Sequence, residues 1–139
     1  MNIKIIVLGK INEKFAREGI HEYEKRLSRY CKIKLVELKS EVQLLKEISR
    51  KTYLIEISTS GQNISSEELA SKISNLGIAG NSDITFIISN TSLSTQIKEK
   101  ASFTMAISKM TMDLNVLTMI LFEQVYRSFR LLNNEPYHK

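Results

Sequence analysis

The chain shows two patterns of apolar residues that succeed each other from one end to the other. Short β-branched runs bounded by glycine or polar residues are typical of buried strands, whereas apolar residues three or four positions apart are typical of helices. Strands are predicted over residues 2–8, 32–39, 53–57, 84–88 and 103–107. Helices are predicted over residues 13–30, 40–49, 65–77, 95–100 and 115–132. This alternation predicts an α/β fold with a mostly parallel sheet.

Local signals refine the ends of several helices. Ser40 with Gln43, and Ser65 with Glu68, have the spacing of a capping box. Gly77 is expected to close the helix that begins at Ser65. The inner face of the first helix is expected to consist of Phe15, Ile20, Tyr23, Leu27 and Tyr30.

The last predicted helix is apolar on nearly all sides in its first half. The residues concerned are Val116, Leu117, Met119, Ile120, Leu121 and Phe122. A small domain cannot cover every face of such a helix within its own core. We therefore expect the helix to pack against a second copy of the chain, which makes the protein a homodimer.

The length and charge indicate the kind of molecule and partner. The chain has 139 residues, which predicts a single domain over residues 1–139. Its net charge of +5 favours an anionic partner without identifying one. A basic stripe on the first helix is either a solvated surface or a ridge that faces phosphates. As a surface it would be lightened by Glu13–Arg17 and Glu22–Arg26 pairs. The stripe consists of Lys14, Arg17, His21, Lys25 and Arg29.

The composition argues against several classes of site. One cysteine cannot form an internal disulfide, and two histidines with one cysteine do not suggest a structural zinc site, so no metal is expected. No apolar run is long enough for a membrane span, and Met1 leads directly into a strand, so no signal peptide is expected. Cys31 is therefore expected to be a reduced, packed side chain in a cytoplasmic protein. The glycine patterns of phosphate-binding loops are missing.

Two regions are candidates for chemistry. Ligands of parallel α/β sheets bind at the carboxyl ends of strands, and the loops there, residues 58–63, 89–93 and 109–114, are rich in hydroxyl and amide groups. The second region is the C-terminus, where Pro136 precedes an aromatic ring, an imidazole and a cation. This end either frays, as chain ends often do, or lies over a pocket. In the second case it would supply a proton acceptor and a phosphate contact.

Three segments resemble a known family: Ser108-Lys109-Met110-Thr111, the run over residues 123–129, and the terminal Pro136-Tyr137-His138-Lys139. They resemble the SPOUT-class methyltransferases that modify a pseudouridine of large-subunit ribosomal RNA, the methyltransferase H family. The similarity covers nearly the whole chain, apart from a shorter segment around residues 39–51. It implies a C-terminal trefoil knot, a homodimer, S-adenosylmethionine as methyl donor, and methylation at N3 of pseudouridine in the ribosome.

The resemblance also implies roles for individual residues. By position, the donor contacts correspond to Ile55, Ser89, Ile107, Ser108, Lys109, Met110, Thr111 and Met112. His138 would accept the N3 proton, Tyr137 would orient it, and Lys139 or Arg127 would neutralise phosphate. With ribosomal RNA as the partner, the candidate RNA contacts are Lys14, Arg17, Lys25, Arg29, Arg127 and Lys139.

Two segments differ from the family pattern. The family has Gly-Gly-x-x-Gly after the fourth strand, where this chain has Ser89-Asn90-Thr91-Ser92-Leu93, and glycine permits a positive φ and a close approach of backbone to ligand. The family's Pro-His-x-x-x-Arg is replaced over residues 113–118. The chain is therefore a functioning RNA methyltransferase, a catalytically weak or inactive relative, or a protein with a different small-molecule or structural role. Such a relative would still bind RNA or a partner as a homodimer.

Overall fold

The computed structural model describes residues 1–137, and its centre is a five-stranded parallel sheet. The strands are β1 (Asn2–Leu8), β2 (Lys32–Leu38), β3 (Tyr53–Asn63), β4 (Asp83–Ser89) and β5 (Phe103–Ala106). The helices are α1 (Lys14–Leu27), α2 (Glu41–Glu47), α3 (Ser66–Ile78), α4 (Thr95–Lys100) and α5 (Leu114–Leu132). The strands lie in the order β2-β1-β4-β3-β5. The predicted parallel α/β class is confirmed, and the trefoil knot stays a prediction.

Helices cover both faces of the sheet. On one face α1, α3 and α5 pack around a large cluster that includes Phe86 and Phe122. On the other face α2 and α4 insert Leu44 and Ile97 against Leu54 and its neighbours. Strands buried on both faces need apolar side chains at consecutive positions, which explains the continuous apolar runs in the sequence.

The predicted helix caps are only partly right. The capping box is confirmed, because the Glu68 N–H donates to Ser65 Oγ at 3.0 Å and the Ser65 N–H donates to Glu68 Oε1 at 2.8 Å. The C-terminal assignment is wrong, because α3 continues past Gly77 to Ile78. Gly80, with φ of 89°, adopts the left-handed conformation beyond that helix end.

Two expectations for α1 are also wrong. Phe15 is 49% exposed, and Ala16 takes the buried place instead. Phe15 and Ile20 are five positions apart in the chain. At 3.6 residues per turn, their side chains therefore point about 140° apart around the helix axis. Glu13 precedes the helix with an extended backbone, so it does not form the expected pair with Arg17, which lies 3.8 Å from Glu37. The other expected pair, Glu22–Arg26, is confirmed at 3.2 Å.

The predicted loop over residues 58–63 is instead a continuation of β3. The register against β5 shifts between Ile57 and Gln62, both of which are opposite Met105. The bulged segment brings Gly61 against the Met105 backbone, where a Cβ atom would lie only 2.6 Å from the Met105 carbonyl carbon. A polar strand with a bulge has little local signature, so the sequence pattern suggested a loop.

A buried side-chain amide connects the start of α5 to the start of α1. Asn115 is 5% exposed. Its Oδ1 accepts the backbone N–H groups of Asn12 and Glu13 at 3.0 and 3.1 Å, and its Nδ2 donates to Asn12 Oδ1 at 3.1 Å. The amide therefore satisfies donors at the start of α1, where no local side chain caps the helix.

Replacing Asn115 with alanine is expected to lower the free energy of unfolding by about 1–3 kcal/mol, because the start of α1 loses the side chain that accepts two of its backbone N–H groups. Urea unfolding followed by circular dichroism measures this change. Asn81→Ala, at an exposed position after α3, is the matched control and should leave the free energy of unfolding nearly unchanged. Equal stability of the two variants would contradict the proposed importance of the Asn115 amide.

Two further features concern the expected class of protein. Within residues 1–137, no helix is both long enough and apolar enough to cross a membrane. Cys31 is a buried free cysteine, and burial raises the pKa of its thiol to about 11. The thiol is therefore protonated at neutral pH and packs as an apolar side chain.

Candidate functional site

A cavity of about 340 Å³ opens at the carboxyl ends of β3, β4 and β5. Its wall brings together the ends of the three segments that the sequence marked as candidate ligand loops. They contribute Ser58, Thr59 and Ser60; Ser89, Asn90, Thr91, Ser92 and Leu93; and Met110, Thr111 and Met112. The predicted position of the site, at the carboxyl edge of the parallel sheet, therefore coincides with this cavity.

A serine shapes each of the three cavity segments. Ser58 Oγ accepts the Ser60 N–H at 3.2 Å, Ser89 Oγ accepts the Thr91 N–H at 3.2 Å, and Ser108 Oγ accepts the N–H of residue 110 at 2.9 Å. Side-chain oxygens that accept from the backbone two residues ahead form tight turns without glycine. After β4, the Ser89 turn stands where the family pattern has glycines.

The loop after β4 has no residue in the left-handed backbone conformation. Within residues 1–137, Asn134 is the one non-glycine residue with a positive φ. Asn90 therefore does not adopt the left-handed conformation that glycine provides in the family pattern. The Ser89 and Thr91 hydroxyl groups, 3.1 Å apart, lie in the cavity wall where glycines would leave space.

The residues expected to contact a methyl donor fall into two groups. The cavity wall includes Ser89, Ile107, Ser108, Met110, Thr111 and Met112. Ile55 lies outside that wall, because it is fully buried in the sheet and packs in the large core cluster. Lys109 is exposed and also lies outside the cavity wall. The structure thus gathers six of the expected positions at one site.

Two charged side chains of opposite sign belong to the cavity wall. Glu56 is in β3 and is 7% exposed. Lys98 is in α4 and is exposed to solvent. The cavity therefore has an acidic, buried wall and a basic, solvated edge.

The C-terminal segment packs on α5. The Tyr137 hydroxyl donates to Glu123 Oε2 at 2.6 Å, and its ring lies 5.5 Å from that of Tyr126. The guanidinium of Arg127 lies 4.1 Å from the Tyr137 ring centroid and 2.8 Å from Glu123. Burial, followed by the hydrogen bond to Glu123, raises the pKa of Tyr137 above its usual value. The phenol is therefore a hydrogen-bond donor at neutral pH.

A second set of contacts holds the preceding residues. The Tyr30 hydroxyl donates to Glu135 Oε1 at 2.5 Å, and Arg130 lies 2.8 Å from the same carboxylate. Arg130 also donates to the carbonyl oxygen of Pro136. The segment through Tyr137 is therefore packed against its own chain rather than frayed. His138 and Lys139, the predicted base and phosphate contact, lie outside the described residues.

The candidate RNA contacts within residues 1–137 all lie near carboxylates. Lys14 is 3.7 Å from Glu18, Lys25 is 3.9 Å from Glu22, and Arg29 is 3.8 Å from Glu135. Arg17 lies 3.8 Å from Glu37, and Arg127 lies 2.8 Å from Glu123. Four of these basic side chains remain half or more exposed, so water screens their pairs and the contribution of the pairs to stability is small. They are Lys14, Arg17, Lys25 and Arg29. A phosphate can compete for such residues.

In the part of the chain that the structure describes, no three His, Cys, Asp or Glu side chains lie close enough together to hold a metal ion.

Comparison with known proteins identifies the family. A family model described as "Predicted SPOUT methyltransferase" matches residues 1–138. The chain belongs to the SPOUT methyltransferase family. Proteins named "Ribosomal RNA large subunit methyltransferase H" from Clostridium botulinum and Clostridioides difficile are 40% and 38% identical, and the alignments cover all of both chains. The predicted membership of the methyltransferase H family is confirmed.

The alignments also show a difference in length between this SPOUT methyltransferase and its relatives. They extend over 159 positions, whereas the chain has 139 residues, so about 20 aligned positions have no counterpart here. This agrees in direction with the shorter segment expected around residues 39–51. In the structure that region is compact, because the short α2 connects β2 to β3.

The cavity of this SPOUT methyltransferase fits S-adenosylmethionine in size and in the chemistry of its wall. Its volume of about 340 Å³ lies within the range of about 300–1,000 Å³ that is usual for small-molecule sites. Ile107, Met112 and Leu117 supply apolar surface for an adenine ring, and the buried Glu56 supplies a negative group for a cationic donor.

Sequence reasoning missed two residues of this region. Glu56 is the one charged residue in the apolar run Leu54-Ile55-Glu56-Ile57, and a lone charge in a buried strand is a signal of function. Asn115 follows the missing Pro-His pattern and carries no comparable signal. Its partners are Asn12 and Glu13, more than 100 residues away along the chain.

Proposed function

We propose that this SPOUT methyltransferase transfers the methyl group of S-adenosylmethionine to N3 of a pseudouridine in large-subunit ribosomal RNA. The observation that carries the proposal is the cavity at the carboxyl ends of β3, β4 and β5, which is lined by six of the eight expected donor contacts. The names of the relatives, which specify large-subunit ribosomal RNA, support the choice of substrate.

The side chains around the cavity have distinct tasks in this proposal. Ile107, Met110 and Met112 would pack on the adenine ring, while backbone groups near Ser89 and Ser108 would read its polar edge. S-adenosylmethionine supplies a methyl group on a cationic sulfonium, so a neutral thioether leaves. The protein has mainly to exclude water and to align the RNA base with the cavity.

The RNA base must also lose a proton. As the N3–C bond forms and the S–C bond breaks, the N3 proton has to pass to an acceptor. We assign this proton to His138, because a neutral imidazole can accept a proton as a general base. Tyr137 would position the histidine through its contacts with Glu123 and Arg127. Lys139 would contact phosphate, together with basic residues of α1.

The proposed active unit is a homodimer. In the single chain Val116, Leu117, Met119 and Ile120 of α5 are only partly buried. Glu135, Pro136 and Tyr137 do not belong to the wall of their own cavity. A second chain packed on α5 would cover the apolar side chains and bring its own C-terminus to the cavity. Analytical ultracentrifugation tests this state, and a monomer at micromolar concentration would contradict it.

A catalytically weak relative is the second candidate function. The loop after β4 favours it, because hydroxyl groups of Ser89 and Thr91 occupy the wall where the family pattern has glycine. Such a protein would bind ribosomes through its basic surface and transfer few methyl groups. The proposed function requires that S-adenosylmethionine still binds in the cavity, and calorimetry tests this binding.

Calorimetry with S-adenosylmethionine and a transfer assay on ribosomes distinguish the two functions. We expect saturable heat with the donor and incorporation of tritiated methyl into ribosomes from cells that lack the modification. Nucleoside mass spectrometry should then show N3-methylpseudouridine. Ribosomes that carry uridine instead of pseudouridine are the control and should accept little methyl. Ribosome binding without methyl incorporation would overturn the proposed reaction and support the second candidate.

A further inference from the structure

Glu56 lies on the cavity side of β3. Successive side chains of a strand point to opposite faces of a sheet. Ile55 and Ile57 pack in the cluster under α1, α3 and α5, whereas Leu54 packs in the cluster under α2 and α4. Glu56 therefore shares the face of Leu54, and at the end of that face it enters the cavity wall.

The carboxylate of Glu56 has no polar partner among residues 1–137. Its neighbours on the adjacent strands are Ile87 of β4 and Thr104 of β5, and it makes no hydrogen bond or ion pair with either. By contrast, the less buried Glu123 and Glu135 each lie 2.8 Å from an arginine. The Glu56 oxygens are not sealed in the core, because no buried side-chain oxygen of the described residues lacks a partner, so they reach the solvent of the cavity. A group in that position therefore favours a ligand that supplies the missing charge.

Within residues 1–137, no basic side chain pairs with Glu56. Lys98 is the basic residue of the described cavity wall, and it forms no ion pair with Glu56 within 4 Å. Its side chain is exposed at the edge, whereas Glu56 is 7% exposed. The negative group is the less exposed of the two, so water screens its charge less than that of Lys98, and a cationic ligand in the cavity can pair with it.

We propose that Glu56 recognises the positive charge of the methyl donor and is a specificity-determining residue for it. The inference rests on the proposed use of S-adenosylmethionine. That donor has two cationic groups, the sulfonium and the α-ammonium, and Glu56 can pair with either. Pairing with the sulfonium would favour the donor over its demethylated product, S-adenosylhomocysteine, because the product has a neutral thioether.

Calorimetry on the full-length Glu56→Gln protein tests the inference. We expect its affinity for S-adenosylmethionine to fall about 10- to 100-fold, as for loss of a hydrogen bond to a charged group. Glu99→Gln makes the same chemical change at an exposed position of α4 and should bind like the wild type. Unchanged affinity for S-adenosylhomocysteine would assign the contact to the sulfonium, whereas an equal loss would assign it to the α-ammonium.

Thermal unfolding without ligand gives the second readout. Glu56→Gln should be about as stable as the wild type, because within residues 1–137 the carboxylate makes no hydrogen bond or ion pair that the substitution would break. The stabilisation by S-adenosylmethionine should shrink in the same variant. A structural role would instead lower stability without ligand, and that result would overturn the inference.

Failures of the two proposals are distinguishable. If wild-type protein does not bind S-adenosylmethionine, both the proposed donor and the role of Glu56 are wrong. If wild-type and Glu56→Gln proteins bind the donor equally, only the role of Glu56 is wrong.

Discussion

Methyl transfer to ribosomes is expected to fall about 10²- to 10⁴-fold when His138 is replaced with alanine, as for loss of a positioned general base. Affinity for S-adenosylmethionine should change little, because the donor contacts proposed here belong to the three cavity segments. Single-turnover transfer of tritiated methyl at saturating donor measures the rate of the chemical step. Calorimetry on the same protein preparations measures donor binding.

The pH dependence adds a specific signature. The wild-type rate should rise with pH as an imidazole loses its proton, because only the neutral ring accepts a proton. The His138→Ala protein should lack this rise. His21→Ala removes the other histidine, which is exposed on α1, and should keep both the rate and the pH profile. Unchanged methylation by His138→Ala would show that the base lies elsewhere.

Replacing Gly61 with alanine should cause a large loss of stability. The added Cβ would meet the Met105 backbone at 2.6–2.9 Å, and a backbone neighbour cannot rotate away as a flexible side chain can. Overpacking of this kind costs about 1–3 kcal/mol. Because β5 leads into the cavity segment at Ile107, we also expect weaker binding of S-adenosylmethionine.

Urea unfolding of Gly61→Ala and Gly77→Ala makes this prediction quantitative. At Gly77 the new Cβ would approach only the flexible Met1 Cε, at 3.3 Å. Alanine also favours the helical conformation of α3 by about 0.5–1 kcal/mol, so this control should be as stable as the wild type or more so. If Gly61→Ala unfolds at the same urea concentration as the control, β5 is free to move away from β3.

The elements that the sequence predicts well are those with strong local signals. β1 and β4 are continuous β-branched runs, and α4 has a clear serine cap, so their limits lie within one residue of the prediction. The second half of β3 is different, because its pairing joins Gln62 to Met105 and Asn63 to Ala106. Contacts between residues so far apart leave no periodic pattern in the local sequence.

The candidate site shows the same contrast. The position of the cavity follows from the general geometry of parallel sheets, so the three segments could be predicted from the strand pattern alone. The lack of a polar partner for Glu56 within residues 1–137 could not be predicted, because it depends on which side chains of β4 and β5 lie beside it. The loss of glycine after β4 is visible in the sequence, but the hydrogen bond from the Thr91 N–H to Ser89 Oγ that shapes this loop is not.

The serine turns around the cavity have a consequence for the entropy of binding. A glycine-rich rim has many backbone conformations to lose when a ligand orders it, whereas these turns are already held by hydrogen bonds to Ser58, Ser89 and Ser108. A ligand that fits this rim therefore binds with a smaller loss of backbone freedom. A ligand that needs the rim to widen must first break those bonds. The three hydroxyl groups therefore make the cavity selective for ligands that fit its existing shape.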